Sequence, residues 1–218
     1  MRTTDGFVPP SGWARHLLRE LCESIQAGPS RHEEDRGRTG ADDGVPLVLP
    51  RDLHGRRILI EDAAAVPTVS SDRAWRLGKY RLAEGDILVT RTGTVGRCAV
   101  VTGEHAGWLF HPNLVRLRLP GEFRRVSAAY LTAYLSATAA QEWIRTRTTG
   151  AVIPSLSIRT LGELPVLLPP VAEQEMIGAT LAALDAKIQA HTEIARATGE
   201  YRGVLADALL SGVLPAEP

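Results

Sequence analysis

The sequence has few cysteines, no long apolar run and almost no lysine. Its 218 residues contain two cysteines, Cys22 and Cys98, which fit no metal-ligand spacing, so we expect two free thiols in a reducing compartment. No stretch approaches the roughly 20 consecutive apolar residues that a membrane-spanning helix requires. The N-terminal segment MRTTDGFVPPSGW also lacks the apolar centre of a signal peptide. These absences predict a cytoplasmic protein that has no membrane partner.

Motifs that carry catalysis are equally scarce. The segment RTGTVGR at 91–97 lacks the spacing of a phosphate-binding loop and is better explained as a hairpin turn. The six histidines form no HExxH pair, no serine lies in a GxSxG turn, and Glu61–Asp62 lacks the companion acid and lysine of a nuclease site. The Asn-Pro-Pro-aromatic box of amino-methyltransferases is absent too. We therefore predict a protein with no catalytic residue, metal or cofactor of its own.

Charge is distributed unevenly although the net charge is zero. Residues 73–159 carry 13 basic and five acidic side chains, a local charge of +8, whereas residues 1–72 carry −3 and residues 160–218 carry −5. Lysine occurs only at Lys79 and Lys187, and the other 23 basic residues are arginine. Arginine suits bidentate contacts to phosphate and guanine, although a GC-rich coding bias explains the same excess. A basic middle next to an acidic tail favours a polyanionic partner.

The first stretch, residues 11–72, combines one helical pattern with a long polar segment. Apolar residues spaced for one helix face predict a helix at its start: Trp13, Leu17, Leu18, Leu21 and Ile25. The run AGPSRHEEDRGRTGADDG at 27–44 predicts a long mobile loop. Its Arg31, Arg36 and Arg38 are solvated among acidic neighbours or become ordered on a polyanionic partner. A short strand is predicted at Val45–Leu49.

The second stretch, residues 73–168, is predicted to consist mostly of strands. Strands at 86–89 and 97–102 are joined by a polar turn at 90–96, and a third strand at 113–119 places Arg116 and Arg118 on one face. One internal helix is predicted from Ser127, its N-cap, to Arg145. Short strands are predicted near 151–153 and 166–168.

The third stretch predicts one long helix. Pro169 and Pro170 end the preceding strand, and no proline follows between 172 and 210. Apolar residues recur at the three- and four-residue steps of a coiled-coil seam, with a polar middle that includes His191, Thr198 and Arg202. The apolar seam residues are Ile177, Leu181, Leu184, Ile188, Leu205 and Leu209. Such a helix favours self-association or partner binding; two ordinary helices that break near Thr198–Gly199 and pack on the core are the alternative.

Six segments, in order, resemble the DNA specificity subunit of type I restriction–modification systems. They are VPPSGWARHLLRELCESIQAGPS, VPLVLPRDL, LAEGDILVTRTGTVGRCAVV, YLTAYLSATAAQEWI, GAVIPSLSIRTLGELPVLLPPVAEQEMIGATLAALDAKI and ALLSGVL. The third is the most distinctive, because it is similar to the family's Gly-Asp-Ile-Leu segment, which is followed two residues later by Arg-x-Gly. The resemblance extends almost end to end and is to a half-length form with a single target-recognition domain.

The resemblance implies an α+β fold with two parts. A target-recognition domain at 1–168 would contain a curved mixed β-sheet with flanking helices. A long C-terminal coiled-coil helix at 169–218 would serve dimerisation and methyltransferase docking. The implied partners are double-stranded DNA, an adenine methyltransferase subunit and, where one exists, a restriction or translocase subunit; only the methyltransferase would bind S-adenosylmethionine. Family subunits normally carry two recognition domains for a bipartite site, so one domain per chain implies a homodimer and a palindromic site.

For DNA contacts we predict side chains on the turn and just past the internal helix: Thr90, Arg91, Thr94, Arg97, Arg145, Arg147, Thr148 and Thr149. Arg91 has an equal alternative, an ion pair with Asp86 or another acid that fixes the hairpin. The two arginines past the helix favour phosphates over bases. Ser155 and Ser157 are interpreted as caps of local backbone rather than as phosphate ligands.

Two other functions agree with the sequence. A protein adaptor in a defence complex would keep the fold without reading DNA, and charge reversal at the arginines above separates it from a DNA reader. A fragment of a fused restriction–methylation enzyme would have catalytic domains encoded upstream, which the gene neighbourhood decides.

Overall fold

The computed structural model describes residues 10–30, 44–121 and 125–211. Arg31, Arg36 and Arg38, for which the sequence predicts a solvated loop, lie outside these ranges. The chain separates into two compact units, Met1–Ala179 and Thr180–Pro218. The assignment of DNA recognition to residues 1–168 and of dimerisation to residues 169–218 stays a prediction.

The described part of the first unit combines short strands with short helices. In chain order its elements are β1 (Ala14–Leu17), α1 (Leu18–Leu21), β2 (Ser24–Ala27), β3 (Val45–Val48), β4 (Leu53–His54), β5 (Arg57–Ile58), β6 (Thr68–Val69), α2 (Ser71–Arg76), β7 (Ile87–Thr90), β8 (Cys98–Val100), β9 (Leu109–Phe110), β10 (Leu114–Arg118), α3 (Ala128–Ser136), α4 (Thr138–Arg147), α5 (Ile158–Gly162) and β11 (Pro165–Leu168), after which α6 (Val171–Leu210) begins. Strand pairing is mixed, since β3 runs antiparallel to β6 and parallel to β9. The predicted α+β class, with mixed strands and a long C-terminal helix, is confirmed; the strands form several sheets.

An antiparallel sheet in the order β2–β10–β7–β8 lies between two apolar cores. Successive residues of β7 face opposite sides of this sheet, so that Ile87 and Val89 join one core and Leu88 joins the other. The first core also contains residues of α3, α4 and β11, and the second contains residues of β3, β9 and α2. Because β7 is buried on both faces, its sequence is a continuous apolar run rather than an alternating one.

The prediction of a helix at the start of the domain is wrong. Residues 14–17 form β1, which pairs with β11, and residues 24–27 form β2, which pairs with β10. Only the four residues of α1 between them are helical. Leu18 and Leu21 satisfy the apolar spacing by being buried in the first core, between two strands whose partners lie far away in the chain. Long-range pairing therefore overrides the local helical pattern.

The middle of the chain follows the predictions with two corrections. Strands β3, β7, β8, β10 and β11 lie where strands are predicted, but residues 151–153 form an irregular loop. The internal helix is divided into α3 and α4 by an extended residue, Ala137. Ser127 caps α3 as predicted, since its hydroxyl accepts from the backbone N–H of Tyr130. At the other end of α3, the side chain of Gln141 donates to the free carbonyl oxygen of Leu135 at 2.6 Å and stabilises the corner.

Arg116 and Arg118 share one face of β10, as predicted, but that face points into the protein. Arg116 is only 3 % exposed, and its guanidinium donates to the backbone oxygens of Lys79 and Arg81, both at 3.1 Å. Arg118 forms a two-point ion pair with the buried carboxylate of Asp86, with N–O distances of 2.6 and 2.8 Å. Two arginines of the basic middle stretch therefore serve the fold, and the positive surface is smaller than the local charge of +8 indicates.

Gln174 fixes the first turns of α6 to the rest of the first unit. Its side chain is fully buried; its oxygen accepts from the Ser127 N–H at 2.9 Å, and its amide donates to the backbone oxygens of Arg125 and Pro169 at 2.9 and 2.8 Å. One turn later Gly178 packs so closely on α3 that a Cβ there would lie 3.0 Å from the nearest atoms of that helix. The start of α6 is thus part of the domain core.

The described part of the second unit is the remainder of α6, residues 180–210, which we call the arm. The helix continues without a break through Thr198 and Gly199, so the alternative of two separate helices is wrong. Arg196 forms ion pairs with Glu193 and Glu200 at 3.2 and 2.6 Å. At 100° per residue these three charges lie opposite the predicted seam. No helix in the described ranges is both long and apolar enough to span a membrane.

The apolar side of the arm is exposed. Leu184 and Ile188, in the predicted seam, are 52 % and 64 % exposed. Ile194 and Tyr201, which sequence analysis did not include, are also exposed. Ile194 and Tyr201 each come one residue before a seam position, 195 and 202. They therefore add apolar surface along one side of the polar middle of the seam. The arm therefore has an exposed apolar stripe that is interrupted by polar residues in its middle.

Candidate nucleic-acid interface

The turn between β7 and β8 is held rigid by the first of its threonines. The Thr90 hydroxyl donates to the backbone oxygen of Thr94 at 2.5 Å and accepts from the Arg97 N–H at 3.0 Å. Gly93 and Gly96 have φ angles of +83° and +93°, which other residues adopt only with strain. The sequence RTGTVGR is therefore a hairpin turn, as predicted, and its shape is set by internal hydrogen bonds.

A second loop follows α4 and is closed at its base. Thr149 and Ser155 exchange two backbone hydrogen bonds of 2.9 and 2.7 Å, which leaves the five residues 150–154 as a tight projection. Ser157 then caps α5 by accepting from the Thr160 N–H at 2.9 Å, as predicted. We call residues 150–154 the tip loop.

The turn and the tip loop are joined to each other. The Gly93 N–H donates to the Pro154 oxygen at 3.0 Å, and the Leu156 N–H donates to the Arg91 oxygen at 2.8 Å. On the other side, Gln141 donates to the Gly96 oxygen at 3.0 Å and ties the turn to the corner between α3 and α4. Two groups of predicted contact residues, about 50 positions apart in the sequence, thus lie on one continuous surface.

Three exposed arginines lie on these elements, one at the end of the turn and two at the end of α4. Arg97 makes no side-chain hydrogen bond or ion pair within the described ranges, so its guanidinium is available. Arg145 forms an ion pair with Glu142, with N–O distances of 2.6 and 2.8 Å, and this pair is fully solvated. Arg147 lies over the ring of Trp143, with its guanidinium carbon 4.2 Å from the ring centre. A solvated ion pair contributes little stability, so Arg145 can exchange its partner for a phosphate.

Arg91 is half-buried at the base of the turn. The alternative in which it pairs with Asp86 is wrong, because Asp86 is taken by Arg118. The Arg91 Nε is buried and has no hydrogen-bond partner within the described part of the chain. A buried donor without a partner is costly, and the Nε of the fold-bound Arg116 is in the same state.

The predicted threonines divide into two kinds. Thr90 is 1 % exposed and its hydroxyl is engaged within the turn, so the structure gives it a role in the shape of the turn, and its contact with DNA stays a prediction. The Thr148 hydroxyl donates to the Ile144 oxygen at 2.8 Å and ends α4. Thr94 and Thr149 are exposed. Their contact with DNA stays a prediction, as does that of the exposed arginines.

Two features of this surface differ from the expectations drawn from the sequence. Gln141 carries no recognisable signal in the sequence, because its role depends on a helix break that periodicity does not reveal. Residues 151–153 are predicted as a short strand but form the tip loop, and Gly150 and Pro154 at its two ends are a signal for a turn. Within the described ranges no group of three or more His, Cys, Asp or Glu side chains is arranged to hold a metal ion.

Comparison with known families identifies the domain. The family model described as the type I restriction modification DNA specificity domain matches residues 10–197. The chain belongs to this family. The match covers the described part of the first unit and residues 180–197 of the arm, and it confirms the resemblance drawn from the six sequence segments.

Solved structures share the fold of this specificity domain at low identity. A chain from a study of complex assembly and conformational transition of the type I R-M system matches with a TM-score of 0.62 and 19 % identity, over 93 % of this chain and 45 % of that one. The HsdS subunit from Thermoanaerobacter tengcongensis matches with a TM-score of 0.59 and 15 % identity, over 97 % of this chain and 52 % of that one. The type I restriction–modification S subunit from M. genitalium matches with a TM-score of 0.59 and 14 % identity, over 91 % of this chain and 46 % of that one.

This specificity domain therefore spans about half the length of the structures it matches. At such identities the likeness establishes the fold alone. A comparison with curated protein sequences gives no match.

Proposed function

We propose that the chain is the non-catalytic DNA-reading subunit of a type I restriction–modification system. The observation that carries this proposal is the joining of the β7–β8 turn to the end of α4 on one exposed surface, in a chain of the DNA specificity domain family. Separately, each element offers one or two cations. Together they offer Arg97, Arg145 and Arg147, along with the exposed threonines Thr94 and Thr149.

The chemistry of this surface suits duplex DNA. Arg97 is available at the end of the turn and can form a bidentate contact with a guanine edge, which discriminates against a wrong base by about 1–3 kcal/mol. Arg145 and Arg147 leave the last turn of α4 and suit phosphates, which position the domain without reading sequence. The rigid turn holds these groups in place before DNA arrives, and so reduces the entropy lost on binding.

In the proposed assembly the arm pairs with the arm of a second copy. Its 31 described helical residues would extend about 46 Å at 1.5 Å per residue, and an isolated helix with exposed leucine and isoleucine gains most of its stability from packing. The ion pairs lie opposite the seam, so they leave the apolar stripe free for a partner. Two copies related by a two-fold axis would read a palindrome of two identical half-sites.

The catalytic partner in this proposal is an adenine methyltransferase subunit, which would dock on the arm and bind S-adenosylmethionine itself. A restriction or translocase subunit would join the same assembly where one is encoded. The specificity chain supplies recognition and no chemistry.

Selection from a random duplex library tests the proposal directly. The intact chain, with and without its methyltransferase subunit, is bound to the library, and the bound duplexes are sequenced. We expect enrichment of one palindromic motif and a steep loss of affinity with salt in mobility-shift titrations. No sequence preference in either condition, with a methyltransferase still bound, would identify the chain as a protein adaptor instead.

Light scattering on the intact chain tests the arm. We expect a dimer, and we expect the double substitution Leu184→Glu with Ile188→Glu to give a monomer, because it places two charges per chain in the seam. Ala182→Glu with Ala186→Glu, which places two charges on the opposite side of the helix, is the matched control and should leave the dimer unchanged. A wild-type monomer at tens of micromolar would remove the arm as a dimerisation element.

A further inference from the structure

The tip loop exposes two consecutive apolar side chains. Val152 is 92 % exposed and Ile153 is 62 % exposed. In the described part of the first unit, no other pair of neighbouring large apolar residues is exposed to this extent. Single exposed apolar residues are ordinary on protein surfaces, but two at the end of a projection indicate a surface that is covered by a ligand.

The backbone presents these side chains in a fixed position. The base of the tip loop is closed by the Thr149–Ser155 pair, and its far end is fastened to the β7–β8 turn by the hydrogen bond from Gly93 to Pro154. Gly150 has a φ of +100°, and a Cβ there would collide with the carbonyl oxygen of Ile153, so the loop can close only with glycine. A loop that is already ordered loses little entropy when it binds.

The surroundings of the tip decide what covers it. Pro154 of the loop lines one groove together with Gly93, Thr148 and Arg145, and Arg97 and Arg147 are exposed on the same two elements. A protein partner would need both an apolar pocket for the two side chains and acidic groups for these cations. Duplex DNA instead combines phosphates for the arginines with one apolar group at the base edges, the 5-methyl of thymine in the major groove.

We infer that Val152 and Ile153 select thymine by packing against its 5-methyl group in the major groove. The inference rests on the proposed function and deepens it, because it assigns part of the sequence preference to apolar contact rather than to hydrogen bonding. It predicts that at least one position of each half-site is thymine, and that the methyl group itself is what the protein detects.

Deoxyuridine substitution isolates that methyl group. The duplex enriched by the intact chain with its methyltransferase subunit is remade with each thymine replaced, one at a time, by deoxyuridine, which keeps every hydrogen-bonding group. We expect a loss of about fourfold in affinity per substitution at one or two positions, the value of one buried methyl group. At the other thymines we expect no change.

The double variant Val152→Ala with Ile153→Ala completes a double-mutant cycle between the protein side chains and the thymine methyl group. It should bind the thymine duplex more weakly and show no uracil penalty at the sensitive positions. Its unfolding midpoint should equal that of the wild type, because both side chains are exposed. Val204→Ala, the same truncation at an exposed valine of the arm, should keep the wild-type uracil penalty.

Three results would overturn the inference. The first is that deoxyuridine has no effect at any position, or has the same effect on the wild type and the double variant. This result would show that these side chains do not detect the methyl group, and it would leave the proposed function intact. If the variant loses affinity and a protein-induced DNA bend together, without uracil dependence, the tip acts as a wedge between base steps. If no duplex is enriched at all, the proposed function fails and this inference with it.

Discussion

Replacing Gln174 with methionine tests how the start of α6 is held in the domain. Methionine has a similar length, but its thioether is a poor hydrogen-bond acceptor and donates nothing. Three backbone groups therefore lose their partner: the N–H of Ser127 and the carbonyl oxygens of Arg125 and Pro169. A buried polar group left unsatisfied costs about 1–3 kcal/mol. The Pro169 oxygen is buried, so the full desolvation penalty applies to it. The Ser127 N–H and the Arg125 oxygen are partly solvated, so their penalties are smaller. We therefore expect the free energy of unfolding to fall by about 3 kcal/mol in total.

Urea denaturation followed by tryptophan fluorescence measures this loss. All four tryptophans precede the arm, so the signal reports the first unit alone. The midpoint should fall with an unchanged slope, and about 3 kcal/mol is a large part of the 5–15 kcal/mol that stabilises a typical domain. Gln189→Met in the same helix removes only a surface hydrogen bond to Glu193 and serves as the matched control. A loss below about 1 kcal/mol at Gln174 would refute the reasoning.

Three further predictions concern buried polar groups. Thr90→Val removes the hydroxyl that shapes the β7–β8 turn and should lower the free energy of unfolding by about 1–3 kcal/mol in the same urea assay. Arg118→Met leaves the Asp86 carboxylate buried without its partner and should cost about 3–5 kcal/mol. Burial lowers the pKa of His105 from its ordinary 6.5; below pH 6.5 the unfolded chain therefore binds more protons than the folded one, and the free energy of unfolding falls as the pH decreases. His105→Gln should make that decrease smaller between pH 7.5 and pH 5.5.

Each of these has a result that would count against it. Thr94→Val at the exposed end of the same turn should change stability by no more than about 0.5 kcal/mol, and an equal loss at both threonines would deny Thr90 its special role. If Arg118→Met hardly changes the free energy of unfolding, the Asp86 carboxylate must find other partners. Identical pH profiles for the wild type and His105→Gln would place the acid sensitivity elsewhere.

Elements whose partners are close in sequence could be predicted from the sequence. The hairpin of β7 and β8 has an apolar run, a glycine-bearing turn and a second run within 17 residues, 86–102. The long α6 carries its seam in its own spacing and its start signal in two prolines. The capping roles of Ser127 and Ser157 are equally local, since each caps the helix that begins at the next residue.

Elements whose structure depends on partners far away in the chain could not be predicted from the sequence. The spacing of Leu18 and Leu21 is that of a helix, yet β1 and β2 on either side pair with strands about 150 and 90 residues away. Arg116 and Arg118 share a face in both the pattern and the structure, but whether that face is inside or outside depends on which elements cover it. The candidate surface itself is of this second kind, because the hydrogen bond between Gly93 and Pro154 is invisible in a local pattern.

The central claim is that the joined turn and α4 end bind DNA through Arg97, Arg145 and Arg147. The most direct measurement is the slope of log affinity against log salt for the intact chain on its enriched duplex, compared with Arg97→Ala, Arg145→Ala and Arg147→Ala singly and with Arg196→Ala in the arm. A phosphate contact contributes about 0.9 to that slope. The account predicts that Arg145→Ala and Arg147→Ala each reduce the slope by about one, that Arg97→Ala weakens binding mainly at one base pair, and that Arg196→Ala changes neither. Unchanged slopes and affinities for all three surface variants would contradict it.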